Sequence, residues 1–225
     1  GIHRIRFATS HPKDLSSELI YAIRDLDKVC SHLHLPVQSG SNKILKKMNR
    51  GYTREKYIDR ILKLRKECPD IALSTDIIVG FPSETWGDFK DTMNLLREIE
   101  FDSIFAFAYS DRSSAPAARF SDQIDEDEKK ERLNNLLGLQ EYYTEKKNKE
   151  QIGKILDVLV EGKSGKLRDG FDHVQKSMEQ MVGRTQSNKI VHFPSKDVII
   201  GDIIKIRIEN AYPHSVWGHP LGAQR

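Results

Sequence analysis

The chain has 225 residues, 38% hydrophobic and 31% charged, a globular composition with room for one large α/β domain or a medium domain plus a small one. Its net charge of +3 is confined to the last third, since residues 1–150 hold 25 basic and 25 acidic side chains and residues 151–225 hold 11 and 8, a weak pointer to a nucleic-acid partner there. No apolar run approaches the roughly 20 residues of a membrane span and no apolar signal core opens the chain, so a cytoplasmic, non-membrane protein is expected.

Up to about residue 150 the pattern switches between strand and helix four times, as in a parallel sheet with crossover helices. Arg4 to Ala8 alternates as a strand, followed by a helical stripe of Leu15, Leu19, Ile20, Ile23 and Leu26 that Ser16 is placed to cap. Cys30 to Pro36 reads as the second strand. A short helix from Ser41 to Met48 comes next, then a longer one opened by Thr53, with Tyr57, Ile61, Leu64 and Cys68 on one face and Pro69 as its stop.

Ile71 to Val79 is the third strand. Thr85-Trp86-Gly87-Asp88 resembles a capping box with Asp in place of Glu, starting a helix whose Phe89, Met93, Leu96 and Ile99 face the sheet. The fourth strand, Ser103 to Tyr109, leads to a charged helix from about Asp125 with Leu133, Leu136, Leu137, Gln140 and Tyr143 inside. Its Glu126 to Arg132 run reads as a solvated face with i,i+4 pairing. Beyond Gly153 the pattern changes to short alternating strands, Ile155 to Glu161, Lys189 to Phe193 and Asp202 to Asn210, the signature of a small β-barrel.

In βα-barrels chemistry gathers at the C-terminal ends of the strands. Here those ends are Thr9-Ser10-His11-Pro12, Pro36-Val37-Gln38-Ser39-Gly40-Ser41, Gly80-Phe81-Pro82 and Tyr109-Ser110. Gln38 offers a donor and an acceptor to an amino-acid or nucleoside ligand, or is a plain loop residue. Asp76 is the sharper clue: it sits in an otherwise apolar strand, where a carboxylate costs several kcal/mol unless it is paired or solvated by a ligand. Arg112 reaches a phosphate or carboxylate, or is simply exposed. His32 and His34 share a strand face, which suits metal ligation or strand-end hydrogen bonding. Cys30 and Cys68, 38 positions apart, read as core residues rather than as a cluster or zinc motif.

Three blocks in order, His32-Leu33-His34-Leu35-Pro36-Val37-Gln38-Ser39-Gly40-Ser41, Met48-Asn49-Arg50-Gly51-Tyr52-Thr53 and Ser74-Thr75-Asp76-Ile77-Ile78-Val79-Gly80-Phe81-Pro82, strongly resemble the MiaB-type radical S-adenosylmethionine (SAM) methylthiotransferases. The stretch Gly183-Arg184-Thr185-Gln186-Ser187-Asn188-Lys189-Ile190-Val191-His192-Phe193 looks like that family's TRAM domain, a small RNA-binding barrel. The resemblance implies an α/β partial (βα) radical SAM barrel of about four βα units over residues 1–150, an all-β TRAM barrel over 151–220 and a tail, 221–225.

It further implies SAM and [4Fe-4S] clusters as cofactors, an electron donor, tRNA as partner, and addition of a methylthio group to N6-isopentenyladenosine beside the anticodon. Relatives acting on threonylcarbamoyladenosine or on a ribosomal protein are the alternatives within the family, and a non-catalytic RNA-binding module is the alternative class. By position, Gln38, Arg50 and Asp76 match SAM contacts: Asp76 to the ribose hydroxyls, Arg50 to the carboxylate, Gln38 to the polar end. Arg112, Arg184, Asn188 and Lys189 fall on the substrate or RNA side, with His192 or Phe193 as base-stacking candidates and Phe193 equally a core residue.

Two departures stand out. Where the family reads Arg-Pro-Gly-Thr after the fourth strand, this chain has Arg112-Ser113-Ser114-Ala115. It also has no CxxxCxxC triad, so the cluster ligands lie outside it and the chain is expected to be an inactive C-terminal fragment whose open strand edge invites self-association.

Overall fold

Parallel pairing needs crossovers long enough to bury one sheet face, and the first part of the chain supplies them. In the computed structural model, which describes residues 1–7, 11–111, 116–164, 179–195 and 197–221, β1 (His32–His34), β2 (Ala72–Val79) and β3 (Ser103–Ala108) form a parallel sheet in that order. Helix α1 (Ser17–Asp25) precedes it, α2 (Asn42–Lys47) and α3 (Arg54–Glu67) link β1 to β2, α4 (Trp86–Ile99) links β2 to β3, and α5 (Glu126–Lys149) follows. The chain divides into two compact units, Gly1–Tyr143 and Thr144–Arg225.

Four helices start where the side chains dictate. Ser16, Ser41, Thr53 and Thr85 each accept a backbone N–H of the first turn, and Thr85 with Asp88 completes the reciprocal capping box. Behind the sheet, Leu33, Leu73, Ile77 and Val79 pack with Tyr57, Ile61, Leu64, Phe89, Leu96 and Ile99 into one core.

The elements depart from the sequence reading where side chains cannot sustain them. The expected strand at Arg4 to Ala8 makes a single parallel bridge, Ile5 to Val29; Ile5 is 43% exposed, too little burial to hold a longer ladder, and Ala8 lies outside the described residues. The second strand is shorter than Cys30 to Pro36 because Pro36 has no N–H to give, and the ladder resumes only at a Gln38–Ile77 bridge. On α5, Leu136, Gln140 and Tyr143 are buried at helical spacing, which turns Leu137 outward to 44% exposure. The solvated reading of Glu126 to Arg132 fails at two positions, since Lys129 and Arg132 are 5% and 1% exposed.

In the second unit β4 (Ile155–Lys163), β5 (Glu179–Arg184), β6 (Ile190–Ser195), β7 (Ile203–Tyr212) and β8 (Ser215–Pro220) close into a barrel of order β4-β5-β6-β8-β7. Alternate residues Val158, Val160, Val191, Phe193, Ile206, Ile208 and Val216 fill it. Strands β5 and β8 escaped the sequence reading because glycines interrupt their pattern. A Cβ at Gly183 would collide with Leu159 backbone and one at Gly218 with Arg207 backbone, so both mark close strand approach rather than turns. Of the expected tail only Leu221 is described, and among the described residues no helix is long and apolar enough to cross a membrane.

Phe193 is fully buried, so Phe193→Ala should cost roughly 3–5 kcal/mol of barrel stability by denaturant unfolding.

Candidate functional site

Period-two alternation gives the sheet two unlike faces. Leu73, Thr75, Ile77 and Val79 of β2 point into the helix-covered core and are fully buried. Ser74, Asp76 and Ile78 therefore take the other face, in register with Ser103, Phe105 and Phe107 of β3, and His34 of β1 pairs with Ser74. This face is polar in the middle and open at β3, where Phe105 and Phe107 are 56% and 55% exposed.

A hydrogen-bonded row crosses it. His34 Nε2 lies 3.3 Å from Asp76 Oδ1, His34 Nδ1 lies 3.0 Å from Ser74 Oγ, and Ser74 Oγ lies 3.1 Å from His32 Nε2. His34 also meets the Phe105 ring edge-on. Asp76 thus has a protein partner that the sequence reading did not assign. The signal was present in His32 and His34, which share a strand face and here serve hydrogen bonding; among the described residues no group of three His, Cys, Asp or Glu side chains is placed to hold a metal. The Asp76 side chain remains 29% exposed, so its carboxylate stays accessible.

Gln38 is brought to Asp76 by the backbone. Its N–H donates to the Asp76 carbonyl at 2.9 Å, and the Ile78 N–H donates to the Gln38 carbonyl at 2.9 Å. Gln38 takes a left-handed φ of 75°, a costly conformation for a residue with a side chain, held by neighbours on both sides. Thr75 Oγ1 donates to the Leu35 carbonyl and accepts the Val37 N–H, while the Tyr52 hydroxyl reaches the Pro36 and Val37 carbonyls at 3.2 and 3.1 Å. The Gln38 side-chain amide has no hydrogen-bond partner among the described residues.

Arg50 is half-buried in the turn after α2, between Asn49 and Gly51, both at positive φ. Tyr52, two residues on, ties that turn to the Pro36–Val37 segment, but no hydrogen bond joins Arg50 to Gln38 or Asp76. The structure therefore unites Gln38 with Asp76 and leaves Arg50 on a neighbouring loop. Arg112 lies outside the described residues.

Two further groups shape this end of the sheet. Asp88 gathers Ser41 Oγ at 2.7 Å, Lys43 Nζ at 2.8 Å and the Thr85 N–H at 2.9 Å, joining α2 to α4. Burial pushes its carboxyl up, but the hydrogen bonds from Lys43, Ser41 and Thr85 outweigh burial and bring its pKa well below the ordinary range. After β2, the turn at Gly80 is held by Glu84, whose Oε2 accepts the Gly80 N–H and the Arg132 guanidinium, each at 2.7 Å. Both members of this ion pair are buried, at 1% and 0% side-chain exposure. Burial raises the Glu84 pKa, opposed by the Gly80 N–H and Arg132. Arg132 also donates to Glu128 and lies 4.9 Å over the Trp86 ring.

In the second unit the three RNA-side candidates meet on one hairpin between β5 and β6. Arg184 Nη1 donates to Asn188 Oδ1 at 3.2 Å, and its Nε bonds Glu161 at 3.2 Å. Asn188 supplies the left-handed residue of the turn, φ 66°, and Lys189 Nζ reaches Asn148 Oδ1 at 3.1 Å. Phe193 is core, and His192 is 8% exposed with Nδ1 3.1 Å from Ser164 Oγ, so burial removes both as base-stacking surfaces.

Residues 1–96 match the Radical SAM superfamily and residues 149–221 match the TRAM domain. The chain is similar to the tRNA-2-methylthio-N(6)-dimethylallyladenosine synthase of Thermoanaerobacter pseudethanolicus, with 51% identity over 97% of this chain and 44% of that protein. The protein of the same name from Acetivibrio thermocellus is 48% identical over 97% of this chain and 43% of its own length. The chain thus spans a little under half the length of the curated relatives it matches. Among solved structures, coproporphyrinogen III oxidase (HemN) from Escherichia coli, titled a radical SAM enzyme, has a TM-score of 0.53 at 14% identity, covering 96% of this chain and 50% of that one, a likeness of fold.

The match of residues 1–96 to the Radical SAM superfamily points to SAM and a [4Fe-4S] cluster as the groups to test against these residues. The open carboxylate of Asp76 and the unpaired amide of Gln38 fit the hydroxyl and amino-acid ends of SAM. The cluster does not fit this chain: its two cysteines are Cys30, 2% exposed, and Cys68, at the C-cap of α3.

Arg132→Ala should strip Glu84 of its buried partner and cost about 3–5 kcal/mol in urea unfolding of the first unit. For Asp88 the folded pKa is depressed, so its contribution is present above the unfolded value and is lost as pH falls through the folded one. Thermal melts should fall progressively below about pH 4 in the parent chain, and Asp88→Asn should flatten that acid-side slope while lowering the melting point at pH 7.

Proposed function

We propose that the protein carrying this chain adds a 2-methylthio group to N6-isopentenyladenosine beside the tRNA anticodon. The observation that carries the reading is the 51% identity over 97% of the chain to a tRNA-2-methylthio-N(6)-dimethylallyladenosine synthase, which runs through both the polar sheet face and the TRAM domain. Residues 1–150 are the proposed radical SAM domain, 151–220 the TRAM domain and 221–225 a tail.

In this reading Asp76 accepts hydrogen bonds from the SAM ribose hydroxyls while His34 orients its carboxylate from the side, at 3.3 Å. Gln38 holds the amino-acid end. Its backbone bonds to both neighbours of Ile77 keep it in step with Asp76, so the two groups move as one. Arg50 pairs with the SAM carboxylate from the adjoining turn. Bound SAM supplies a 5′-deoxyadenosyl fragment and a methyl group; the cluster ligands and the electron donor come from outside this chain, and no step is assigned to them.

Arg184, Asn188 and Lys189 are the proposed tRNA contacts of the TRAM hairpin, where the cations neutralise phosphate and the amide hydrogen-bonds the backbone. Arg112 is proposed on the substrate side. A cytoplasmic site of action follows from a tRNA substrate. Self-association of the isolated chain through the open β3 edge belongs to the same proposal.

Full-length protein, reconstituted anaerobically, should convert isopentenyladenosine to its 2-methylthio derivative in tRNA, read by nucleoside analysis. Asp76→Ala should lower product formation by about 10- to 100-fold, the scale of a hydrogen bond to a charged group, with cluster content unchanged. Full activity in that variant would sink the assigned role of Asp76.

A further inference from the structure

Outside the polar sheet face, a cavity of about 350 Å³ opens between the start of α1 and the outer side of α3. Lys13, Lys56, Arg60 and Lys63 line it together with Ser16 and Ser17, over a floor of Leu15 and Ile20. One carboxylate, Asp59, joins the lining and is bridged to Lys63 at 3.0 Å, one helical turn away. Three cations are left without a counterion among the described residues. Lys13 and Lys56 form no ion pair there, and Arg60 Nη1 donates only to the Pro12 carbonyl, which aims its guanidinium without neutralising it.

Like charges converging on one concavity repel one another unless an anion is received between them. The nine-residue α1 starts at the rim, with Ser16 as its cap and Glu18, hydrogen-bonded to Ser16, in its first turn. No aromatic or amide side chain lines the cavity, and its excess of cations with two hydroxyls suits a phosphoryl group better than a base. Its open, exposed cations suit a phosphate on a continuous backbone better than an enclosed small metabolite. The basic surface also continues past it, because Lys13 Nζ lies 2.6 Å from the position a Cβ would take at Gly51, the residue after Arg50.

We propose that this pocket binds a backbone phosphate of RNA, giving the radical SAM segment an RNA contact of its own in addition to the TRAM hairpin. The inference rests on the tRNA-modifying reading above.

The test uses full-length protein and the double variant Lys13→Gln/Lys56→Gln, both exposed positions, with thermal melting to confirm that the fold is kept. Equilibrium binding of tRNA across a salt series should show the variant about tenfold weaker at 0.1 M salt, with the slope of log K against log salt reduced by about 0.7 to 0.9, the share of one phosphate. An unchanged affinity and slope, in a protein that binds tRNA normally, would overturn the pocket while leaving the proposed function intact. Failure of the parent protein to bind tRNA would overturn both. Inorganic phosphate titrated by calorimetry separates the sources: phosphate binding lost in the variant with tRNA binding unchanged assigns the pocket to a free anion and overturns the RNA contact.

Discussion

The two-faced alternation of β2 is the constraint on which the first unit depends. Four of its residues must be buried against α3 and α4, and a strand cannot bury successive residues on one side. Ser74 and Asp76 are thereby committed to the opposite face, and the parallel register then sets His34 and Phe105 beside them. A carboxylate in an apolar strand is a liability only if it turns inward. Here it turns to an open face and leans on an imidazole, so the local sequence conflict is resolved by geometry.

The loops at the strand ends are held from a distance. Gln38 keeps a left-handed backbone because β2 hydrogen-bonds it on both sides and because Thr75 and Tyr52 satisfy the carbonyls and N–H groups that Pro36 interrupts. The Gly80 turn is held by Glu84, and Glu84 by an arginine 48 positions further along, on α5. Such a pair is a poor source of net stability, since desolvation offsets much of its attraction. Its effect is directional: Glu84 aims both lone pairs of one oxygen at donors it could not exchange for water, and the turn is fixed at a single geometry.

The second unit answers a different problem, how to close a small sheet without edges. Two glycines let strands approach more closely than a Cβ permits, and register shifts at Val160–Gly162 and Ile208–Asn210 bend β4 and β7 around a core centred on Phe193. The hairpin that carries Arg184, Asn188 and Lys189 is ordered by its own side chains, so its cations are presented from a set turn rather than from a loose loop.

Local chemistry was legible in the sequence. Ser16, Ser41, Thr53 and Thr85 announce helix starts through side chains that bond within one turn, and the switch of apolar period separates the α/β part from the barrel. What the sequence could not determine depends on residues far apart in the chain. Nothing near Arg132 distinguishes it from the solvated charges around it; only docking of α5 on the Gly80 turn buries it. Gly183 and Gly218 look like turn residues until a neighbouring strand passes over them. The partner of Asp76 is His34, and the pocket cations come from α3 and from the segment before α1. Period and capping act over a few residues and so survive in one dimension, whereas burial, ion pairing and the convergence of charge are properties of which surfaces meet, and only the tertiary structure decides that.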